Sequence, residues 1–195
     1  GAWINRLRGQ RVVGEDCMPL ECLHHLDFSR CIFDMIDLFK ANMEASRFIY
    51  ASFSSAVIDF SNMVNTDLRG TNFPNALLQG VNLQGANLKE AVFISADLRG
   101  ADFQGADLSG SYLCGANMAS VFLLGARLLN ADFRGANLQI SKSFGNRSGI
   151  YVSMNERDNV DSILIYLYSQ GAILDDQQLA RLRELGEAVD DHPDE

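Results

Sequence analysis

One residue in every five through the middle of this chain is large and apolar. The series opens at Phe28 and runs through Phe33, Leu38, Met43, Phe48, Phe53, Ile58, Met63, Leu68 and Phe73 to Phe133 and Leu138 without a gap. Twenty-three positions are involved: eleven Leu, eight Phe, three Met and one Ile. A step of five drifts around an α-helix, whose side chains return after three or four residues. The same step flips faces in a strand, where side chains alternate. The period therefore predicts an all-β solenoid, a chain that turns a corner every five residues and sends one large side chain inward on each side.

A second inward position lies two residues earlier, because residues two apart on an extended stretch share a face. It is small: thirteen of its twenty-three occupants are Ala, and only Leu26 and Ile36 are bulky. The residue between the two is polar in most repeats, as at Asp67, Asn72, Asn82, Asp97, Asp102 and Asp132, and is expected to point outward. The corner slot carries Gly70, Gly80, Gly85, Gly100 and further Gly up to Gly135. Gly suits a type II turn, which needs a positive φ at its third residue. Before Gly70 the corner holds Arg30, Met35, Lys40, Ala45, Tyr50, Ser55, Phe60 and Asn65 instead. Different turn geometry is therefore expected in the first two coils.

Ala86-Asn87-Leu88, Ala96-Asp97-Leu98, Ala106-Asp107-Leu108 and Ala136-Asn137-Leu138 match the consensus A(D/N)LXX, and the chain resembles the pentapeptide repeat family. The resemblance covers residues 26–140. It implies a right-handed quadrilateral β-helix with four pentapeptides per coil and about six coils, roughly 28 Å long at one strand spacing per coil. Residues twenty apart would then stack on one face.

A solenoid needs its ends covered. Residues 1–25 read as an N-terminal cap or linker, with Trp3, Ile4, Leu7, Val12, Val13, Met18 and Leu20 as the cover. Residues 141–195 read as a C-terminal helical cap and acidic tail. There Ser141–Ile150 is a loop, and Ser153 with Glu156 forms a capping box. Val160, Ile163, Leu164, Leu167 and Tyr168 make a helical stripe that Gly171 ends. A second helix is expected from about Asp176 to Leu185, with Leu179, Leu182 and Leu185 on one side. These helices either cap the last coil or join two copies as a homodimer.

Charge changes the picture little. Net charge is −9. The repeats carry eleven acids against eight bases, whereas residues 150–195 carry eleven against three. The acidity sits in the tail, and the rod lacks the basic face that nucleic-acid binding requires. No apolar run is long enough for a membrane span. Cys17, Cys22, His24 and His25 could be taken for metal ligands, but their spacing fits no zinc pattern and ordinary capping residues are the preferred reading. No phosphate loop, catalytic triad or calcium loop is present, so the chain reads as no enzyme and as having no cofactor.

The expected role is a non-enzymatic scaffold for protein-protein interaction in a cytoplasm, which the resemblance implies is bacterial, its partner unnamed by the sequence. Outward positions that break the polar rule are the candidate contact: Val92, Ile94, Tyr112 and Cys114 on one face. Phe122, Leu124 and Leu129 form a second group, expected to lie under the C-terminal helices. Val57 and Leu77 form a smaller patch, expected on the opposite face. Two alternatives stand beside this reading. The resemblance implies that some members mimic duplex DNA and protect DNA gyrase, which needs a strongly acidic rod, whereas Arg47, Arg69, Lys89, Arg99, Arg127 and Arg134 break up the acidity here. The chain also reads as a soluble interaction domain of a larger membrane or effector protein, given its start without Met and its basic N-terminal edge at Arg6, Arg8 and Arg11.

Overall fold

A computed structural model describes residues 23–138, 160–187 and 189. From Leu26 to Leu138 the chain is a right-handed quadrilateral β-helix. Every outward centre pairs in parallel with the residue twenty positions on, from Asp27 with Arg47 to Asn117 with Asn137. The four sides are numbered by their outward centres. Face 1 carries Asp27, Arg47, Asp67, Asn87, Asp107 and Arg127; face 2 carries Ile32, Ser52, Asn72, Val92, Tyr112 and Asp132. Face 3 carries Asp37, Val57, Leu77, Asp97, Asn117 and Asn137, and face 4 carries Asn42, Asn62, Asn82, Asp102 and Phe122.

The hydrogen-bond account of one repeat explains its sequence. In Ala96–Gly100, Asp97 N–H donates to Ala76 O in the coil below, and Leu98 and Gly100 N–H donate to Asn117 O and Ala119 O in the coil above, at 2.8–2.9 Å. Ala96 N–H closes the preceding corner onto Phe93 O at 3.0 Å. The fifth donor, Arg99 N–H, has no backbone partner and donates to Asp97 Oδ1 at 3.2 Å. The same bond joins Ser29 to Asp27, Gln104 to Asp102, Ser109 to Asp107 and Arg134 to Asp132. Asp or Asn between the two inward residues is thus more than a solvated side chain. It accepts the one donor that the ladder leaves over.

Two exceptions are compensated from the coil below. Where Ser52 and Leu77 replace Asp or Asn, Ser54 N–H donates to Asp34 Oδ1 at 2.9 Å and Gln79 N–H to Asp59 Oδ1 at 2.7 Å. At the corresponding place beyond Asn72 stands Pro74, which has no N–H to satisfy.

The large inward residues are buried along the whole series. Behind face 2 the rings of Phe33, Phe53, Phe73 and Phe93 stack within 9° of parallel, with centroids 4.7–5.1 Å apart. Such pairs contribute about 0.5–1.5 kcal/mol each beyond their burial. Four hydroxyls in the small inward slot, on Ser46, Ser61, Thr66 and Thr71, bond to main-chain carbonyls at 2.7 Å, whereas the buried Ser111 Oγ has no partner among the described residues.

The expected change of turn geometry does not occur. The corners at Arg30, Met35, Lys40, Ala45, Tyr50, Ser55, Phe60 and Asn65 have φ of 52–65°, beside 62–72° at the repeat glycines. One left-handed corner serves every coil. A non-Gly residue there costs about 1–2 kcal/mol, which the inter-coil bonds and the buried pair on either side of the corner offset. Glycine marks a second requirement, that of space. The Tyr50 ring lies against Gly70, and the Phe60 ring comes within 2.7 Å of where a Cβ on Gly80 would sit.

Two helices follow, α1 (Val160–Ser169) and α2 (Asp176–Glu184). Gly171, at φ +73°, ends α1 as the sequence predicts: its N–H donates to Tyr168 O, and Ala172 N–H donates to Leu167 O. Between the helices the chain returns to the solenoid. Ile173 pairs in parallel with Asp132, donating to Ala131 O at 2.8 Å and accepting from Phe133 N–H at 2.9 Å. Ala172-Ile173-Leu174 therefore supplies a further rung on face 2, with Ala172 and Leu174 buried in the small and large inward slots. Asp175 next caps α2 through a capping box with Gln178, and its Oδ2 accepts Gly135 N–H at 2.8 Å.

Leu164, Leu167 and Leu182 are buried in the same core, with Leu179 packed against it. Ile163 lies in α1, its side chain outside the described residues. The helices do not cover the second apolar group: Leu124 and Leu129 stay more than half exposed. Gly171 only skirts Leu129, and Tyr166 Oη reaches Leu123 O at 3.4 Å. The expected cover from Trp3 to Leu20, Arg6, Arg8 and Arg11, the loop 141–150, the Ser153–Glu156 capping box and the tail from Asp190 all fall outside the described residues.

Candidate functional site

Val92, Ile94, Tyr112 and Cys114 come together on face 2. Val92 and Tyr112 are neighbours in the ladder, and Ile94 and Cys114 occupy the turn slots two residues beyond them. Ile94 is 45% exposed and Tyr112 49%, while Val92 and Cys114 are half-buried. Behind the strip lie Phe93, the last ring of the stack, and Leu113, both fully buried, so its backbone platform is braced from inside.

Above the strip the chemistry turns ionic but closed. Asp132 is buried and accepts from Arg134 N–H, Nε and Nη2, at 3.1, 2.9 and 2.7 Å for the nearer contacts. Burial alone would raise the Asp132 pKa; the bonds from Arg134 and from the Cys114 thiol outweigh it and hold the carboxyl below its ordinary value. The Cys114 thiol is pushed up by burial and by its hydrogen bond to Asp132, so it stays protonated and a poor nucleophile.

Face 1 contrasts with it. Arg69 grips Asp67 at 2.7 Å, Lys89 and Arg127 approach Asp107 at 3.3 and 3.7 Å, and Arg47 lies 3.9 Å from Asp27. Face 4 begins with three Asn, of which Asn62 Nδ2 donates to Asn42 Oδ1 at 3.2 Å, and runs on to Asp102 and Phe122.

Val57 and Leu77 are bridged on face 3, which adjoins face 2 rather than opposing it. The sequence expectation of an opposite face is corrected by the stacking order, in which the chain reaches face 3 one corner after face 2. The patch is also larger than expected. Phe39 stands on the same face, Phe60 at its far corner and Met35 at its near corner, and the Phe39 and Phe60 rings meet edge to face at 6.0 Å. A bulky residue in a corner slot was the signal in the sequence.

Cys17 and Cys22 lie outside the described residues, and the rings of His24 and His25 pack edge to face at 5.1 Å. Among the described residues no group of three or more His, Cys, Asp or Glu could hold a metal ion, and no helix is long and apolar enough to cross a membrane. A groove between the last coil and α2 is lined by Asn137, Leu138, Leu164, Gln178, Arg181 and Glu184. Arg181 and Glu184 pair along α2, on one wall of it, at 2.9 Å.

Several solved structures are similar. One is QnrB1, a plasmid-mediated fluoroquinolone resistance protein, at 16% identity over 94% of this chain and 93% of that one, with a TM-score of 0.37. Another is a pentapeptide repeat protein from the Arabidopsis thaliana thylakoid lumen, at 19% identity over 67% and 89%, TM-score 0.37. A third is HetL, a pentapeptide repeat protein involved in heterocyst differentiation regulation in the cyanobacterium Nostoc, at 20% identity over 59% and 73%, TM-score 0.27. No curated protein matches the chain. The family model for pentapeptide repeats matches in eight copies over residues 36–74, 75–110 and 106–139. That match spans more than half of the sequence and coincides with the four-sided stack, and the chain belongs to the pentapeptide repeat family.

Proposed function

We propose that this protein is a non-enzymatic scaffold whose face 2 binds another protein in a bacterial cytoplasm, with Val92, Ile94, Tyr112 and Cys114 as the contact. One observation carries the reading: a flat apolar strip stands exposed in the middle of a rod whose other outward centres mostly form polar ladders and ion pairs. Backbone bonds to both neighbouring coils hold the strip in place. A partner therefore meets a surface that loses little freedom on binding. The closed Asp132–Arg134 pair bounds the strip without offering a free charge. The gyrase-directed alternative has the paired cations of face 1 against it.

The test compares recovery of partners from a native lysate by the parent and by an Ile94→Lys, Tyr112→Glu variant of equal thermal stability. The proposal expects a partner lost with the variant. Equal recovery by both removes face 2 as the contact.

A further inference from the structure

Face 3 carries the largest cluster of exposed apolar side chains among the described residues, and its surroundings are acidic. Met35 is 64% exposed, Phe60 47%, and Phe39 and Leu77 43% each, with half-buried Val57 among them. The corner residues hold their places against a cost. Met35 and Phe60 both have φ of 59°, in a slot where Gly serves in later coils without strain. Gly80 leaves the room into which the Phe60 ring leans. Contiguous apolar surface of this kind on a soluble domain marks contact sites.

Three carboxylates frame the cluster: Asp37, Asp59 and Asp97, all outward on face 3. Asp59 is the informative one. Its pKa lies above the ordinary carboxylate value, mainly through burial, and the charges of Asp97 and Asp37 add to this against the Gln79 N–H bond and Arg99. Arg99 is committed to Asp97, with Nε on Oδ1 at 2.8 Å. Lys40 lies over the Phe39 ring, 5.0 Å from its centroid. This side of the rod thus joins large apolar groups to clustered negative charge, and the complement is a segment with large apolar side chains next to Arg or Lys.

We infer that face 3 is a second docking surface, separate from face 2, for a segment of another polypeptide in which large apolar residues alternate with basic ones. Apolar anchors seat between Phe39, Phe60 and Leu77, and a cation meets Asp59 and Asp37. Face 3 adjoins face 2, but its cluster lies in the coils of residues 35–77 and the face 2 strip in those of residues 92–114, so the protein would hold two partners at different heights of the rod.

The test uses fluorescein-labelled peptides of about ten residues and fluorescence anisotropy with the full chain. One peptide alternates Leu and Arg, a second Ser and Arg, a third Leu and Glu. Two variants preserve the fold by design. Phe60→Gly suits the left-handed corner, and Asp59→Asn keeps an acceptor for Gln79 N–H. The expected result is binding of the Leu-Arg peptide alone, weakened roughly tenfold or more by each variant, a loss of about 1.4 kcal/mol. Ile94→Lys with Tyr112→Glu leaves it unchanged, which separates this inference from the face 2 proposal. Failure of the Leu-Arg peptide to bind, equal binding of either control peptide, or indifference to both variants overturns the inference. Trp3, the single tryptophan, tests the chain's own residues 1–22 as occupant: a shift of its emission on Phe60→Gly overturns docking by another polypeptide.

Discussion

Faces 1 and 2 share one backbone and one interior grammar, yet present opposite surfaces. Behind face 1 lie Phe28, Phe48, Leu68, Leu88, Leu108 and Leu128; behind face 2 lie four stacked Phe, then Leu113 and Phe133. Outside, face 1 mixes acids with bases that pair along the axis, Arg47 with Asp27 and both Lys89 and Arg127 with Asp107, while face 2 runs from Ser52 and Asn72 to Val92 and Tyr112. The inward slots tolerate only apolar or small groups. The outward centre is bound by a weaker rule: Asp or Asn there supplies an acceptor for the N–H two residues on, yet Ile32, Val57, Val92 and Tyr112 occupy the same position in the same ladder. Surface character is thus written face by face with little effect on the fold, and function can differ between sides.

The largest effect separates inside from outside. Phe73→Ala opens the ring stack behind face 2 and should cost about 3–5 kcal/mol in urea unfolding, more than Leu88→Ala behind face 1, at about 2–5 kcal/mol. A loss below about 1 kcal/mol for Phe73→Ala would mean that the stack contributes nothing through its continuity. Asp132→Ala is next, because it removes the cap of Arg134 N–H and leaves a buried gap under the guanidinium. Roughly 1–3 kcal/mol should be lost at neutral pH. The Asp132 pKa is lowered in the fold, so its contribution is complete above the unfolded value of about 3.9 and fades as pH falls through the lower folded value. Parent and variant should converge in that acid range, and a difference that persists there contradicts the cap.

Gly70→Ala tests the corner between the two faces. The new methyl meets the Tyr50 ring, and the left-handed corner adds its own penalty, for about 1–2 kcal/mol in all. Tyr50→Ala in the same chain should recover the steric part, and a double-mutant cycle with no coupling would contradict the contact. On face 1, Arg127→Ala should change stability by less than about 1 kcal/mol, as exposed ion pairs do. Smallest is Ile94→Lys on face 2, within about 0.5 kcal/mol by thermal melting. A larger loss would make the strip part of the core's support rather than a contact surface.

Much of this was legible from residues alone. A period of five allows few backbones, so the inward assignment of Phe73, Leu98 and Leu128 followed from spacing, and Gly171 marked a helix end. The uniform corner was missed because Gly reports low strain, while inter-coil bonding and packing hold Met35 or Tyr50 in the same conformation. The rung at Ala172-Ile173-Leu174 was missed because it returns far out of the five-residue register, although it reads as a small-outward-large triplet. The exposed face of Phe39 and Phe60 was missed because one sits in the turn slot and the other at a corner. Only stacking by twenty brings them together.

The central claim is that side chains five apart stack in one dry interior, with twenty residues to a coil. Two internal deletions test it most directly by circular dichroism during thermal unfolding. Removing residues 76–95 takes out one whole coil of twenty, joins corner to corner and keeps every face aligned. Removing residues 76–93 takes out two fewer and puts the downstream coils out of step. The account predicts a cooperative β-type transition for the first deletion and its loss for the second. Equal behaviour of the two would contradict it.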